Sequence, residues 1–233
     1  MFLWNRQALE IAGAYRLGLV DQILTQKGRK GLYTHSLFRL IAEFFDRMNN
    51  ALELGRSFIC PSYQKSYSCL SLLWQGISRF IVHNPRYRML FGPVSISADY
   101  HKVSKTLMVE FLRNKKSNAR LERVVTPRKP FRKPMRKHIP NITPESVVGD
   151  VENISLMISE IEADGKGIPI LIKQYLKLAG TFVGFNVDKR FSDVVDGLVI
   201  VDLMQTDPKL LCRFMGSEGA DGFHSHHCLS LIH

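Results

Sequence analysis

A carboxylate and a guanidinium stand three positions apart in an otherwise apolar run, Ala51-Leu52-Glu53-Leu54-Gly55-Arg56-Ser57-Phe58-Ile59. The run is closed by Cys60-Pro61 and reads as a strand. Strict alternation puts Glu53, Gly55 and Ser57 on one face and Leu54, Arg56 and Phe58 on the other. Charges this close to a core need a partner or a task. Arg16, in the apolar stretch Gly13-Ala14-Tyr15-Arg16-Leu17, poses the same question. Two answers stand level. Glu53 is neutralised by Arg16 in a buried ion pair, or it withdraws a proton from a nucleophile, directly or through a water. In the second case Arg16 and Arg56 hold a substrate carboxylate in two-point geometry or order Glu53.

Other chemistries are poorly represented. The chain has no G-x-S-x-G elbow, phosphate-binding G-x-x-x-x-G-K-[ST] loop or H-E-x-x-H helix, and no histidine is followed five positions later by Asp. Its cysteines, Cys60, Cys69, Cys212 and Cys228, form no C-x-x-C pair and are too few for a disulfide scaffold. His224, His226, His227 and Cys228 crowd together without a second anchor, so a loose tail is expected over 220–233 and no metal site. With 45% hydrophobic and 23% charged residues over 233 positions, the composition is globular. No apolar run reaches the ~18–20 residues that cross a bilayer, and the first residues lack a secretion-signal layout. A cytoplasmic protein that touches a membrane surface is expected.

The elements that must position Glu53 and its neighbours follow from periodicity. Residues 1–17 suggest a hairpin. Leu37, Ile41, Phe44, Phe45 and Met48 suggest a helix, and Leu70, Leu73, Trp74, Ile77, Phe80 and Ile81 a second one directly after the Glu53 strand. Strands are expected over 89–97, 181–187 and 198–203, and helices over 103–112, 154–161 and 168–178. Alternation of the two types gives an α/β fold with a mixed sheet.

Several blocks together resemble the ornithine lipid-type, hemolysin-like N-acyltransferases of the GNAT superfamily. They are Gly13-Ala14-Tyr15-Arg16-Leu17, Glu53-Leu54-Gly55-Arg56-Ser57-Phe58, Leu72-Leu73-Trp74-Gln75-Gly76-Ile77, Leu90-Phe91-Gly92-Pro93-Val94-Ser95-Ile96-Ser97, Gly167-Ile168-Pro169 and Gly184-Phe185-Asn186-Val187-Asp188. The two arginine-bearing strands also resemble acyl-homoserine-lactone synthases. The resemblance covers residues 1–219 and implies one GNAT-like domain, a splayed mixed sheet flanked by helices. It implies transfer of a long acyl chain from acyl carrier protein, or CoA, to the amine of an amino acid such as ornithine, in lipid synthesis. An autoinducer-type synthase and a short-chain acetyltransferase are the alternative enzymes.

In such a fold the donor's phosphopantetheine arm lies between two diverging parallel strands, here 52–59 and 89–97. The resemblance thus assigns Phe58, Ile59, Gln64, Lys65, Ser66, Ser95 and Ser97 to the acyl donor. Glu53 becomes the general base, and Arg16, Arg56 and Ser57 bind the acceptor. No bound cofactor is implied, only the donor as co-substrate. Gln64-Lys65-Ser66 replaces the glycine-rich loop of CoA-using relatives, which favours a carrier protein. Family members begin with further elements before Phe2-Leu3-Trp4, so a truncated start and a non-catalytic binding module are also expected possibilities.

The net charge of +11 is concentrated between Arg113 and Lys137, where eleven Lys and Arg residues meet one acid, Glu122. Pro127, Pro130, Pro134, Pro140 and Pro144 interrupt the same stretch. A basic, exposed arm is expected over 123–146. Arg128, Lys129, Arg132 and Lys133 would dock an acidic carrier protein or an anionic membrane, or stay solvated. No nucleic-acid partner is expected, because no nucleic-acid-binding fold accompanies the charge.

Overall fold

The computed structural model describes residues 1–48, 50–64, 67–115, 119–132 and 150–229. Its centre is a six-stranded mixed sheet, flanked by helices on both faces. In chain order the main strands are β1 (Phe2–Asn5), β2 (Glu10–Leu19), β4 (Ala51–Ile59), β5 (Met89–Ile96), β7 (Thr181–Asp188) and β8 (Val194–Asp202). Their order across the sheet is β1-β2-β4-β5-β8-β7. Every neighbouring pair is antiparallel except β4 and β5. Helix α4 (Tyr67–His83) carries the chain from the end of β4 back to the start of β5, which makes that pair parallel.

The two sheet faces build separate cores. Leu73, Trp74, Ile77 and Ile81 bury one stripe of α4 against Leu52, Leu54, Leu90 and Val94. The same core takes in α5 (Lys102–Lys115), α7 (Val151–Ile161), α8 (Ile170–Lys177), α9 (Pro208–Met215) and α10 (Ser217–Leu229). On the opposite face Phe91, Leu198 and Ile200 pack with Phe38, Phe44 and Val125. Burying each such side chain is worth about 1.5–3 kcal/mol. The cores therefore hold the sheet rigid where its strands part.

Local periodicity misses three features. The expected helix around 37–48 is broken into α2 (Thr34–Leu37), a short strand β3 (Phe38–Leu40) and α3 (Ala42–Arg47). Strand β3 pairs with β6 (Val125–Pro127), a partner far along the chain that overrides the helical spacing. The second difference follows from this pairing. The first part of the expected exposed arm is helix α6 (Ala119–Val124) and then β6, with Val124 and Val125 buried. Residues 133–149, including Lys133, lie outside the described residues. Third, the expected tail is largely helical. Phe223 of α10 is buried, and the His227 ring shares a hydrogen bond of 2.8 Å with the Pro85 carbonyl. An apolar anchor holds a segment whose histidines suggested none.

Candidate active site

The β4–β5 ladder contains Ala51↔Met89, Leu52↔Leu90 and Glu53↔Phe91, and ends there. Both strands continue past this point. β4 stays paired to β2 as far as Ile59, and β5 stays paired to β8 as far as Ile96. The sheet thus splits along a wedge whose apex lies at Leu54 and Gly92. A Cβ on Gly92 would come within 1.8 Å of the Leu54 carbonyl oxygen, so only glycine fits at the apex. Beyond it, backbone groups of β4 and β5 that face each other have no partner in this ladder.

A cavity of about 1360 Å³ fills the wedge. Val94, from one face of β5, and Pro93 and Ser95, from the other, all line it. The opening therefore passes through the sheet. Leu171 and Phe58 contribute an apolar part of the lining. Arg16, Lys30, Arg56, Arg128, Lys129 and Arg190 make the remainder strongly cationic, against two carboxylates, Asp188 and Asp196.

A bulge shapes the β4 side. Ala14 pairs with Phe58 but Arg16 pairs with Gly55, so Tyr15 stands opposite both Arg56 and Ser57. Arg56 accommodates the extra residue with a φ of 49°, in the left-handed region. This corrects the strict alternation expected from the sequence. Arg56, Ser57 and Phe58 follow one another along the cavity wall. The Arg56 guanidinium lies 5.0 Å from the centroid of the Tyr33 ring, which gives that charge a fixed platform.

Glu53 is fully buried and lies outside the cavity lining. Its Oε1 accepts from the Thr34 backbone N–H at 2.7 Å. Its Oε2 accepts from the Tyr33 N–H at 3.2 Å and from Arg16 Nη1 at 3.2 Å. The carboxylate therefore ties together β4, Arg16 of β2 and the loop that presents Lys30 and Tyr33. Of the two readings open to the residue types, the ion pair with Arg16 is present. The Arg16 side chain is 39% exposed and reaches the cavity.

Across the wedge, β8 carries a second buried acid, Asp196, 3% exposed. It pairs in register with Ser95 on β5 and Asn186 on β7. Ser95 Oγ donates to Asp196 Oδ1 at 2.6 Å, while the buried Oδ2 has no hydrogen-bond partner among the described residues. Burial pushes the Asp196 carboxyl up to about 6, opposed by the Ser95 hydrogen bond and assisted by the nearby charge of Asp188. Asp196 was missed at the sequence level because its strand was expected to begin at Leu198. The signal was present in Val194-Val195-Asp196-Gly197-Leu198-Val199, one acid inside an apolar run, as at Glu53.

The basic segment closes one side. Arg128 N–H donates to the Leu37 carbonyl at 2.9 Å, and Arg128 Nε to the His35 carbonyl at 2.9 Å. Lys129 N–H donates to Asn186 Oδ1 at 2.7 Å, and Val187 N–H to the Lys129 carbonyl at 2.8 Å. Desolvation and then the charges of Arg128, Arg29 and Lys30 push the His35 imidazole down, a sign of the positive field here.

An acetyltransferase (GNAT) domain model matches residues 1–75. The chain is 27% identical over 212 residues to a glycine N(alpha)-acyltransferase of Phocaeicola vulgatus, a match covering 86% of this chain and 64% of the relative. It is 28% identical over 223 residues to a glycine N(alpha)-acyltransferase of Bacteroides thetaiotaomicron, covering 90% of this chain and 65% of that relative. The chain thus spans a little under two thirds of the length of the relatives it matches. No solved structure matches it. The sheet is GNAT-like. The fold and both matches are what this chain shares with GNAT-type N-acyltransferases.

Of the residues expected in this GNAT-like site, Arg16, Arg56, Ser57, Phe58 and Ser95 line the cavity. Ile59 packs against the α4-side core. Ser97 lies beyond β5, where its hydroxyl donates to Asp99 Oδ2 at 2.9 Å within a turn. Gln64 Nε2 donates to the Ile59 carbonyl at 2.9 Å, which fixes the turn after β4. Lys65 and Ser66 lie outside the described residues. Beneath Ser57, the hydroxyls of Tyr15 and Tyr175 are 2.7 Å apart, and burial pushes both phenols up. Among the described residues no three His, Cys, Asp or Glu side chains are grouped to hold a metal. No described helix is long and apolar enough to cross a membrane.

Proposed function

We propose that the chain transfers an acyl group, preferably a long one, from a thioester donor to the amine of an amino acid. The observation that carries this reading is the cavity cut through the sheet between β4 and β5, with apolar lining and a cationic rim. At about 1360 Å³ it exceeds the ~300–1,000 Å³ of ordinary small-ligand pockets, which favours a pantetheine-linked fatty chain over an acetyl group. Backbone N–H groups left without ladder partners past the apex would donate to the thioester oxygen as it becomes an oxyanion. Gln64, Lys65 and Ser66, ahead of α4, are assigned to the donor's phosphate end, where helix N–H groups favour anions.

Glycine, the acceptor in the relatives' names, and ornithine, implied by the resemblance, are the first acceptors to test. Arg16 and Arg56 would hold the acceptor carboxylate. Glu53 would serve this task from beneath, by holding Arg16 and the Tyr33 loop in place. A base role for Glu53 would require Arg16 to release Oε2. The cationic rim suits either source of donor, the phosphates of CoA or an acidic carrier protein, and also an anionic lipid surface at which product could leave. Incubating purified protein with palmitoyl-CoA or palmitoyl-acyl carrier protein and glycine or ornithine tests the reading. Mass spectrometry should detect the N-acyl amino acid, with one free thiol released per amide formed. Thioester binding without either product would reduce the chain to a carrier-binding module.

A further inference from the structure

Acyl transfer to an amine needs somewhere for a proton to go, because an ammonium has no lone pair with which to attack. The cationic half of the cavity is unsuited to the task. Arg16 and Arg56 are donors only, and both oxygens of Glu53 are occupied beneath them. The opposite wall differs. Asp196 lines the cavity and is anchored through Oδ1 by Ser95, a β5 residue at the edge of the wedge, while its Oδ2 is buried with no hydrogen-bond donor among the described residues. A buried oxygen left without a donor is costly, and a ligand that brings an N–H relieves the cost.

We infer that Asp196 is the catalytic residue that binds the acceptor's ammonium group and takes its proton, so that the substrate is a zwitterion spanning the cavity from Asp196 to Arg16 and Arg56. This assignment rests on the proposed acyl transfer. The step balances without another reactant. Oδ2 accepts one proton from the ammonium, and the freed lone pair forms the C–N bond at the thioester carbonyl. The C–S bond then breaks, and the departing thiolate leaves as a thiol with the second amine proton. The first proton passes from Asp196 to solvent. Burial keeps the carboxyl near 6, poised to accept a proton at neutral pH yet ionised enough to hold an ammonium. The charged and titratable groups sharing its cavity are Asp188 and Arg190 from the β7 end, Arg16 and Arg56 from β2 and β4, Lys30 and Tyr33 from the loop, and Arg128 and Lys129.

The test compares the full chain with D196N and D196E, using palmitoyl thioester and glycine between pH 5 and 9. Wild-type kcat/KM should rise through about pH 6 and then flatten. D196N should lose about 10²–10⁴-fold at pH 7, while its rate keeps climbing tenfold per pH unit as solvent takes over the proton. D196E should recover part of the loss. Donor binding by D196N, measured by calorimetry with palmitoyl-CoA, should match wild type, which shows that the wedge is intact. A wild-type protein that forms no amide overturns the acyl-transfer reading itself. Amide formation by wild type and D196N with the same pH profile overturns only the assignment of Asp196. A uniform loss with wild-type profile shape and weakened donor binding also overturns it, in favour of a structural role.

Discussion

Glu53 and Asp196 are both buried carboxylates on the same face of the sheet, one on each side of the wedge. Glu53 has three donors distributed over its two oxygens. Asp196 has one donor on Oδ1 and none on Oδ2 among the described residues. A carboxylate saturated by backbone N–H groups and a guanidinium is a structural tie, because protonating or moving it breaks every bond at once. A carboxylate beside a cavity, with one oxygen lacking a donor, can exchange protons and partners at little cost to the fold. The two acids look alike as isolated letters in apolar strands, and it is their partners that tell them apart.

The sharpest way to break this division is at the apex, where the two halves meet. G92A would drive a Cβ against the Leu54 carbonyl, with no side chain able to move aside. It should cost about 4 kcal/mol or more and largely abolish soluble folded protein, as read by circular dichroism. A G92A protein with wild-type melting would mean that the strands separate without the close approach.

E53A would strand the Tyr33 and Thr34 N–H groups and release Arg16, with a loss of about 3 kcal/mol in urea unfolding. The milder E53Q keeps one acceptor oxygen. It should raise the KM for the amino acid more than it lowers kcat, as expected for a residue acting through Arg16. A collapse of kcat in E53Q with unchanged KM would return the base role to Glu53.

Asp196 should behave in the opposite sense. Burial holds its carboxyl at about 6 in the folded protein, above the ordinary carboxylate range, so the folded protein binds that proton more tightly than the unfolded chain. Its contribution to stability is present below about pH 4 and is lost as pH rises through 6. At pH 7, D196N should therefore equal or exceed wild type in stability, by up to about 2–3 kcal/mol, while losing activity. Thermal melts of the two proteins across pH 4 to 7 should diverge as pH rises, and parallel curves would refute the shift. The smallest effect belongs to the rim. R128A with K129A should change stability by about 1 kcal/mol or less, but weaken binding of the anionic donor, most clearly at low salt.

The strand of Glu53, the α4 stripe and the blocks that mark the GNAT-like sheet were legible from residue types alone. Alternation and helical spacing are local, and burial enforces both. The site was only half legible. The Arg56–Ser57 bulge depends on the register with β2, which no local pattern encodes. Asp196 carried the same signal as Glu53, yet its meaning depends on a vacant oxygen, and vacancy is a property of neighbours. The basic stretch misled for a related reason. Prolines and charge suggested an exposed arm, whereas Val125 pairs with β3, and the backbones of Arg128 and Lys129 bond to Leu37 and to β7.

The order of amino acids by itself determined which segments are apolar on one side, and so which become strands and helices. It also determined that a few charged residues must lie inside them. Where β4 leaves β5, which acid is saturated and which cations face the opening were decided only when distant segments met. Hydrogen bonds and close contacts are satisfied between partners in space, and their supply at any one position is not written in the adjacent sequence.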